Sequence, residues 1–299
     1  MFISTSSTSE GTAVFRILIG WAMRIYRASP LYPRAGKILA WLLARLTRPR
    51  GSTLGVIDGV KFELDLCEVI DASLYYSGSF EPQAEKLMAA VVRPGMTVLD
   101  IGANIGYHTF RLAKLVGPLG FVVAVEPTSY AFDKLQRNLS LNNFNNIHLA
   151  KVGLADRDLG EIDVTFRSSF RLAGKDEVRT ERIRILTLDA VVGNQLLTQV
   201  DFVKIDVDGY EGKVFAGATE TLTRFRPTVF FEFWPDSVRA NGDDPSALIR
   251  LLFALGYQLS TEDGVRTPDE TSVMKAIPKG RWINLLAAPA SENIPVLLP

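Results

Sequence analysis

The chain has 299 residues, 47% hydrophobic and 22% charged, with 33 basic side chains against 33 acidic ones. This composition excludes a disordered or collagen-like chain, and the length allows one large α/β domain or two smaller ones. Zero net charge argues against a nucleic-acid binder that works through bulk electrostatics. The single cysteine, Cys67, suggests neither an intrachain disulfide nor a zinc site, so a reducing, cytoplasmic setting is expected.

The charge is unevenly spread. Residues 1–50 hold eight basic side chains and one acid, Glu10, which leaves the remainder with 25 basic against 32 acidic, a net −7. Met1 to Thr12 is rich in Ser and Thr and lacks a helical period. Ala13 to Arg27 is amphipathic, with Arg16, Arg24 and Arg27 along one face, and Gly36 to Thr47 is apolar but too short to span a bilayer. Two readings follow for this basic helical leader. It packs on the following domain, or residues 13–47 lie on the inner membrane face as a peripheral contact, with Trp21 and Trp41 at the apolar boundary. Pro30, Pro33 and Pro49 punctuate the segment, and the main domain is expected over residues 51–299.

From Ser52 onward, strands and helices alternate. Thr53 to Ile57 and Val60 to Leu66 flank Asp58-Gly59 and predict an opening hairpin. A helix over Pro82 to Val92 precedes strand Thr97 to Ile101, helix Ile105 to Val116, strand Phe121 to Val125, helix Ser129 to Asn142 and strand Ile147 to Val152. Glu161 to Phe166 and Arg182 to Leu188 predict an extra hairpin around a basic loop containing Arg167, Arg171, Lys175 and Arg179. Strand Phe202 to Val207, helix Tyr210 to Thr223, strand Thr228 to Phe233, helix Pro245 to Leu255 and strands near Tyr257 to Ser260 and Trp282 to Ala287 complete the pattern. The expectation is an α/β, Rossmann-like fold: a mostly parallel seven-stranded sheet with helices on both faces, whose ligand sits beyond the carboxyl ends of the strands.

The run Val98-Leu-Asp-Ile-Gly-Ala-Asn-Ile-Gly106 falls where the first parallel strand turns into its helix. Gly102 lets a ligand approach the main chain beside Ala103, Asn104 tolerates a left-handed backbone, and Gly106 permits tight packing. The spacing G-x-N-x-G is shorter than the dinucleotide fingerprint G-x-G-x-x-G, and Asp100 beside it would repel a pyrophosphate but attract a cationic group. Glu126 ends the second strand, 24 residues after Gly102, where a carboxylate can accept from both hydroxyls of a ribose. Asp156, in Gly153-Leu-Ala-Asp156, is placed to accept from an adenine amine. Together the three acids suit one cationic nucleoside.

These motifs, with Val125-Glu-Pro127, Thr187-Leu-Asp189, Val203-Lys-Ile-Asp-Val-Asp-Gly-Tyr-Glu211 and Gly217-Ala218, resemble the FkbM-type methyltransferases within the class I S-adenosyl-L-methionine-dependent fold. The resemblance runs from Phe80 to Glu232 and more weakly to the final strand. It implies that Asp100, Gly102, Ala103, Asn104 and Gly106 line the methionine part of the cofactor, that Glu126 binds the ribose and that Asp156 faces the adenine. It also implies a hydroxyl acceptor on a sugar, glycolipid or secondary metabolite. Asp208 stands where the family usually has Glu, which keeps the charge and shortens the reach.

Asp206 and Asp208 close the fourth strand, where such folds present the methyl group, and one carboxylate suffices to align an oxygen and take its proton. Asp206 is the first candidate for general base and Asp208 the second; capping of the following helix is the competing role. No metal site is expected, although Asp206, Asp208, Glu211, Glu232 and Asp236 are oxygen donors, because Glu211 is expected to point along its helix and Glu232 lies on the next strand. His108 and His148 are expected to serve packing or hydrogen bonding. A nonenzymatic adenosine-ligand sensor or scaffold on the same fold is the alternative function.

Overall fold

The computed structural model describes residues 52–167, 178–278 and 281–290. The leader, including residues 13–47, and Arg171 and Lys175 of the basic loop lie outside the described residues.

In chain order the elements are β1 (Ser52–Ile57), β2 (Val60–Asp65), α1 (Val69–Ser77), α2 (Pro82–Val91), β3 (Thr97–Ile101), α3 (Tyr107–Val116), β4 (Phe121–Val125), α4 (Ser129–Ser140), β5 (Ile147–Ala150), β6 (Gly153–Leu154), β7 (Gly160–Arg167), β8 (Val178–Leu186) and α5 (Leu188–Asn194). There follow β9 (Phe202–Ile205), α6 (Glu211–Ala216), α7 (Thr219–Arg224), β10 (Thr228–Phe233), α8 (Pro235–Ala240), α9 (Pro245–Ala254), β11 (Tyr257–Thr261), β12 (Arg266–Thr267), α10 (Glu270–Ala276) and β13 (Ile283–Pro289). The described residues divide into two compact units: 52–82 with 165–167 and 178–179, and 83–164 with 180–290.

In the first unit β1 and β2 pair antiparallel with Ile57 opposite Val60. The intervening residues are both left-handed, Asp58 at φ 49° and Gly59 at φ 79°, the turn whose twist matches that of a two-residue hairpin. The sequence expectation holds here. It lacked α1, which is buried on most sides, Asp71, Ser73 and Ser77 included, and therefore shows no amphipathic period.

The second unit is built on an eight-stranded mixed sheet in the order β12-β11-β13-β10-β9-β3-β4-β5. The five strands from β10 to β5 pair in parallel. β13 runs antiparallel to both β10 and β11, and β12 antiparallel to β11. The expected seven-stranded, mostly parallel sheet is thus corrected. An eighth strand of two residues is added at one edge, and half of the sheet carries antiparallel pairings.

Successive residues alternate between two cores, as strands covered on both faces require. Val98, Val122, Phe202 and Phe230 face Ala84, Leu87 and Met88 of α2 and Leu112, Ala113 and Val116 of α3. Leu99, Val123, Val203 and Phe231 face Leu188 and Val191 of α5, Val214 and Phe215 of α6, Leu222 of α7 and Leu248, Ile249 and Leu252 of α9.

Two further expectations are corrected. The strand read to Val152 ends at Ala150, and Gly153–Leu154 leaves the main sheet to pair parallel with β8 in a three-stranded sheet ordered β6-β8-β7. The helix read over Tyr210 to Thr223 is two helices. Asp189 accepts from the backbone N–H groups of Glu220 (3.0 Å) and Thr221 (2.7 Å) and from the Thr221 hydroxyl (2.6 Å), giving α7 a cap of its own from across the chain.

β3, β4 and β5 step one way across the sheet and β9 and β10 the other. Strand order therefore reverses between β3 and β9, and open α/β sheets bind ligands outside the strand ends at such a point.

Candidate functional site

β3 and β9 bring the expected acids together through a residue the sequence reading did not single out. Asp100 and Lys204 are direct register partners on these two strands. Both are buried, and the Lys204 ammonium lies 3.5 Å from Asp100 Oδ1 and 3.2 Å from Asp206 Oδ2. It also donates to the Gly102 carbonyl at 3.2 Å. Asp100 Oδ2 accepts from the Thr109 hydroxyl at 2.6 Å, and its Oδ1 has no hydrogen-bond partner apart from this ion pair. One lysine thus ties the acid of the glycine turn to the acid of the fourth strand end. The detectable signal was a single acid and a single base, each inside an otherwise apolar parallel strand, where a charge is stable only when paired.

The turn itself follows the expected backbone conformations. Gly102, Asn104 and Gly106 are left-handed at φ 77°, 49° and 92°, and the Gly102 and Ala103 N–H groups both donate to the Val125 carbonyl. A reason for glycine at 102 is internal to the fold. A β-carbon there would stand 1.8 Å from the Asp206 carbonyl oxygen, so the residue is dictated by close approach of the β9 backbone. At Gly106 a β-carbon would meet Leu135 of α4 at 2.5 Å, the tight packing that was anticipated.

Glu126, at the end of β4, faces this turn. Its Oε2 accepts from the Asn104 N–H at 3.0 Å, and Oε1 accepts from the Thr128 N–H at 3.0 Å and the Thr128 hydroxyl at 2.6 Å. Burial pushes its pKa up, against the lowering effect of those bonds. A carboxylate offers about four lone-pair directions. Three are taken by these bonds, and one on Oε2 remains open. The acceptor capacity left on Glu126, facing the glycine turn, fits the ribose of a nucleoside such as S-adenosyl-L-methionine.

Asp156 is not gathered into this group. It follows β6, is exposed, and ion-pairs with Arg157 at 3.5 Å. Asp206 is half-buried, with its backbone N–H on the Ile101 carbonyl at 3.0 Å. Asp208 is exposed and left-handed at φ 53°; its carbonyl accepts from the Ser237 hydroxyl at 2.8 Å and the Asn241 amide at 3.2 Å. The N-cap residue of the following helix α6 is Tyr210, which makes no side-chain cap.

Glu211 corrects its expected direction. The side chain turns back into the loop, where Oε1 accepts from the N–H groups of Val207 (3.2 Å) and Gly209 (3.1 Å). Its Oε2 is buried without a partner, and burial raises its pKa to about 7. Among the described residues no group of three His, Cys, Asp or Glu side chains is placed to hold a metal ion. His108 is buried against the Tyr107 ring. His148, on β5, lines an apolar cleft of about 230 Å³ with Arg184 and Val191, away from the switch point.

A sheet that reverses order beside a glycine turn and an acid at the next strand end defines a Rossmann-like α/β fold. The profile described as "Methyltransferase FkbM domain" matches residues 100–259, more than half of the chain, and the protein belongs to that family. Among curated relatives, methyltransferase sdnD of Sordaria araneosa is 24% identical over 216 residues, covering 60% of this chain and 80% of that one. Arsenite methyltransferase of Halobacterium salinarum is 34% identical over 91 residues, 30% of this chain and 22% of that one. The chain thus spans under a quarter of that relative's length. A crystal structure of Methyltransferase FkbM from Methylobacillus flagellatus KT superposes with a TM-score of 0.42 at 16% identity, covering 73% of this chain and 52% of that one.

Proposed function

We propose that this protein transfers a methyl group from S-adenosyl-L-methionine to a hydroxyl oxygen of a sugar, glycolipid or secondary metabolite. Family membership supports the donor. The observation that carries the reading is the Asp100–Lys204–Asp206 chain, which fixes a carboxylate at the switch point beside the turn facing Glu126.

When bound, the cofactor supplies a methyl group already activated on a sulfonium. The protein's task is then to orient the acceptor and receive one proton. Lys204 holds Asp206 Oδ2. Oδ1 carries no bond among the described residues and is the atom assigned to the hydroxyl. Asp206 Oδ1 would accept the proton of the acceptor hydroxyl while Lys204 keeps the carboxylate in place. Asp208, displaced by its backbone anchors, is assigned to acceptor orientation. Glu126 is assigned to the ribose, Asp156 to the adenine edge, and Asp100, Gly102, Ala103, Asn104 and Gly106 to the methionine side.

No helix among the described residues is long and apolar enough to cross a membrane. The basic residues 13–47 are assigned a peripheral membrane contact that presents lipid-linked acceptors. Full-length protein is expected to float with anionic vesicles and protein starting at Ser52 to sediment.

The reaction is tested by incubating cell extracts with radiolabelled donor and the enzyme. Labelled product is expected with the native protein and a loss of about 100-fold with Asp206→Asn, on the scale of general-base catalysis. Wild-type turnover by an Asp206→Asn protein that binds cofactor normally would remove Asp206 from the reaction.

A further inference from the structure

Large aromatic side chains left in water at one edge of a sheet, beside a reactive carboxylate, call for an occupant. Tyr210, Trp234 and Trp282 expose 42%, 38% and 39% of their surface. We infer that they form a stacking platform seating a pyranose ring of the acceptor against Asp206. This deepens the methyl-transfer reading and rests on it.

The fold places all three on the edge that carries Asp206. Ile205 pairs with Phe231 across β9 and β10, and Phe233 pairs with Ile283 across β10 and β13. Trp234 and Trp282 are the next residues outward on adjacent strands, which lie about 5 Å apart. Measured along β10, Trp234 stands two positions beyond the level of Asp206, a span of about 7 Å, which is the scale of a sugar ring. Tyr210 ends the loop after β9, and the Lys213 ammonium lies over one face of its ring, 5.1 Å from the centroid, so only the opposite face is offered to a ligand. That loop is tied to α8 by Ser237 and Asn241, which both donate to the Asp208 carbonyl, and α8 begins immediately after Trp234. The aromatic positions therefore share one frame with both carboxylates.

The chemistry selects the ligand. A pyranose has a face of C–H groups that suits the negative face of an aromatic ring, and an edge of hydroxyls that suits carboxylate acceptors. Single-stranded RNA also stacks on aromatics, but it needs cations for its phosphates. The nearby cations Lys213 and Arg239 are already matched by Asp243 (3.8 Å) and Asp236 (2.9 Å). A neutral, hydroxyl-rich ring fits this edge better than a polyanion.

The test uses the full chain saturated with S-adenosylhomocysteine on an array of pyranose oligosaccharides with a single-stranded RNA arm. The native protein is expected to capture a subset of the pyranoses. Trp234→Ala and Trp282→Ala are expected to weaken capture at least about tenfold, whereas Trp234→Phe and Trp282→Phe stay within about threefold, a tenfold loss corresponding to 1.4 kcal/mol. Calorimetry should give unchanged S-adenosylhomocysteine affinity for every variant. Full capture by both alanine variants, an empty array with a cofactor-binding protein, or capture of RNA in place of pyranose would each overturn the platform. A native protein that does not bind S-adenosylhomocysteine would instead overturn the methyl-transfer reading beneath it.

Discussion

The backbones of Gly102 and Asp206 touch so closely that a β-carbon on residue 102 would sit 1.8 Å from the Asp206 carbonyl oxygen. The glycine turn after β3 and the end of β9 are therefore packed backbone to backbone, and a shift of one displaces the other. Gly102 is also left-handed, at φ 77°. Gly102→Ala combines backbone strain with a clash and should cost more than about 3 kcal/mol, read by urea unfolding, with loss of S-adenosylhomocysteine binding. Stability within 1 kcal/mol of wild type, on the order of an ordinary surface change, would contradict this contact.

Lys204 is the charge that makes the junction tolerable. Lys204→Met leaves Asp100 fully buried without its counter-charge and should destabilise the protein by about 3–5 kcal/mol. Adding Asp100→Asn removes the orphaned charge, so the double variant should regain much of that loss. The pair with Asp206 contributes little to this figure because the Asp206 side chain is 37% exposed. Equal destabilisation of the single and double variants in urea would show that packing of the lysine stem, not charge, is responsible.

Glu211 gives a pH signature. Its folded pKa of about 7 lies above the ordinary 4.5, chiefly through burial and further through the charge of Asp206. The native state holds this proton more tightly than the unfolded chain. The associated stabilisation is complete below about 4.5 and is lost as pH rises through about 7. Glu211→Gln has no such dependence and keeps an acceptor for the Val207 and Gly209 N–H groups. Its stability relative to wild type should rise by about 3 kcal/mol between acidic and mildly alkaline pH. Parallel pH profiles in chemical denaturation would contradict the assignment.

Much of this architecture is legible in the sequence because its strands are short apolar runs with hard punctuation. Thr97–Ile101, Phe121–Val125 and Thr228–Phe233 are found at their predicted limits. What stayed hidden depends on distant partners. Asp189 caps a helix some thirty residues away and splits it from its predecessor, and β12 is only two residues long, too short to show a period. At the site, the glycine turn and Glu126 announce themselves at strand ends. Lys204 does not, since its meaning appears only once β3 and β9 are set side by side in register. Asp156 was read as following directly on the third strand, but the chain changes sheets just before it.

The central claim is recognition of an adenosine-based cofactor by the turn and Glu126, and calorimetry with S-adenosyl-L-methionine, and with S-adenosylhomocysteine as its neutral-sulfur counterpart, tests it most directly. One-to-one binding is predicted, with no heat from NAD and a weakening on the order of 10- to 100-fold in Glu126→Ala, the value of hydrogen bonds to a charged acceptor. Absence of binding, or unchanged affinity in Glu126→Ala, would contradict it.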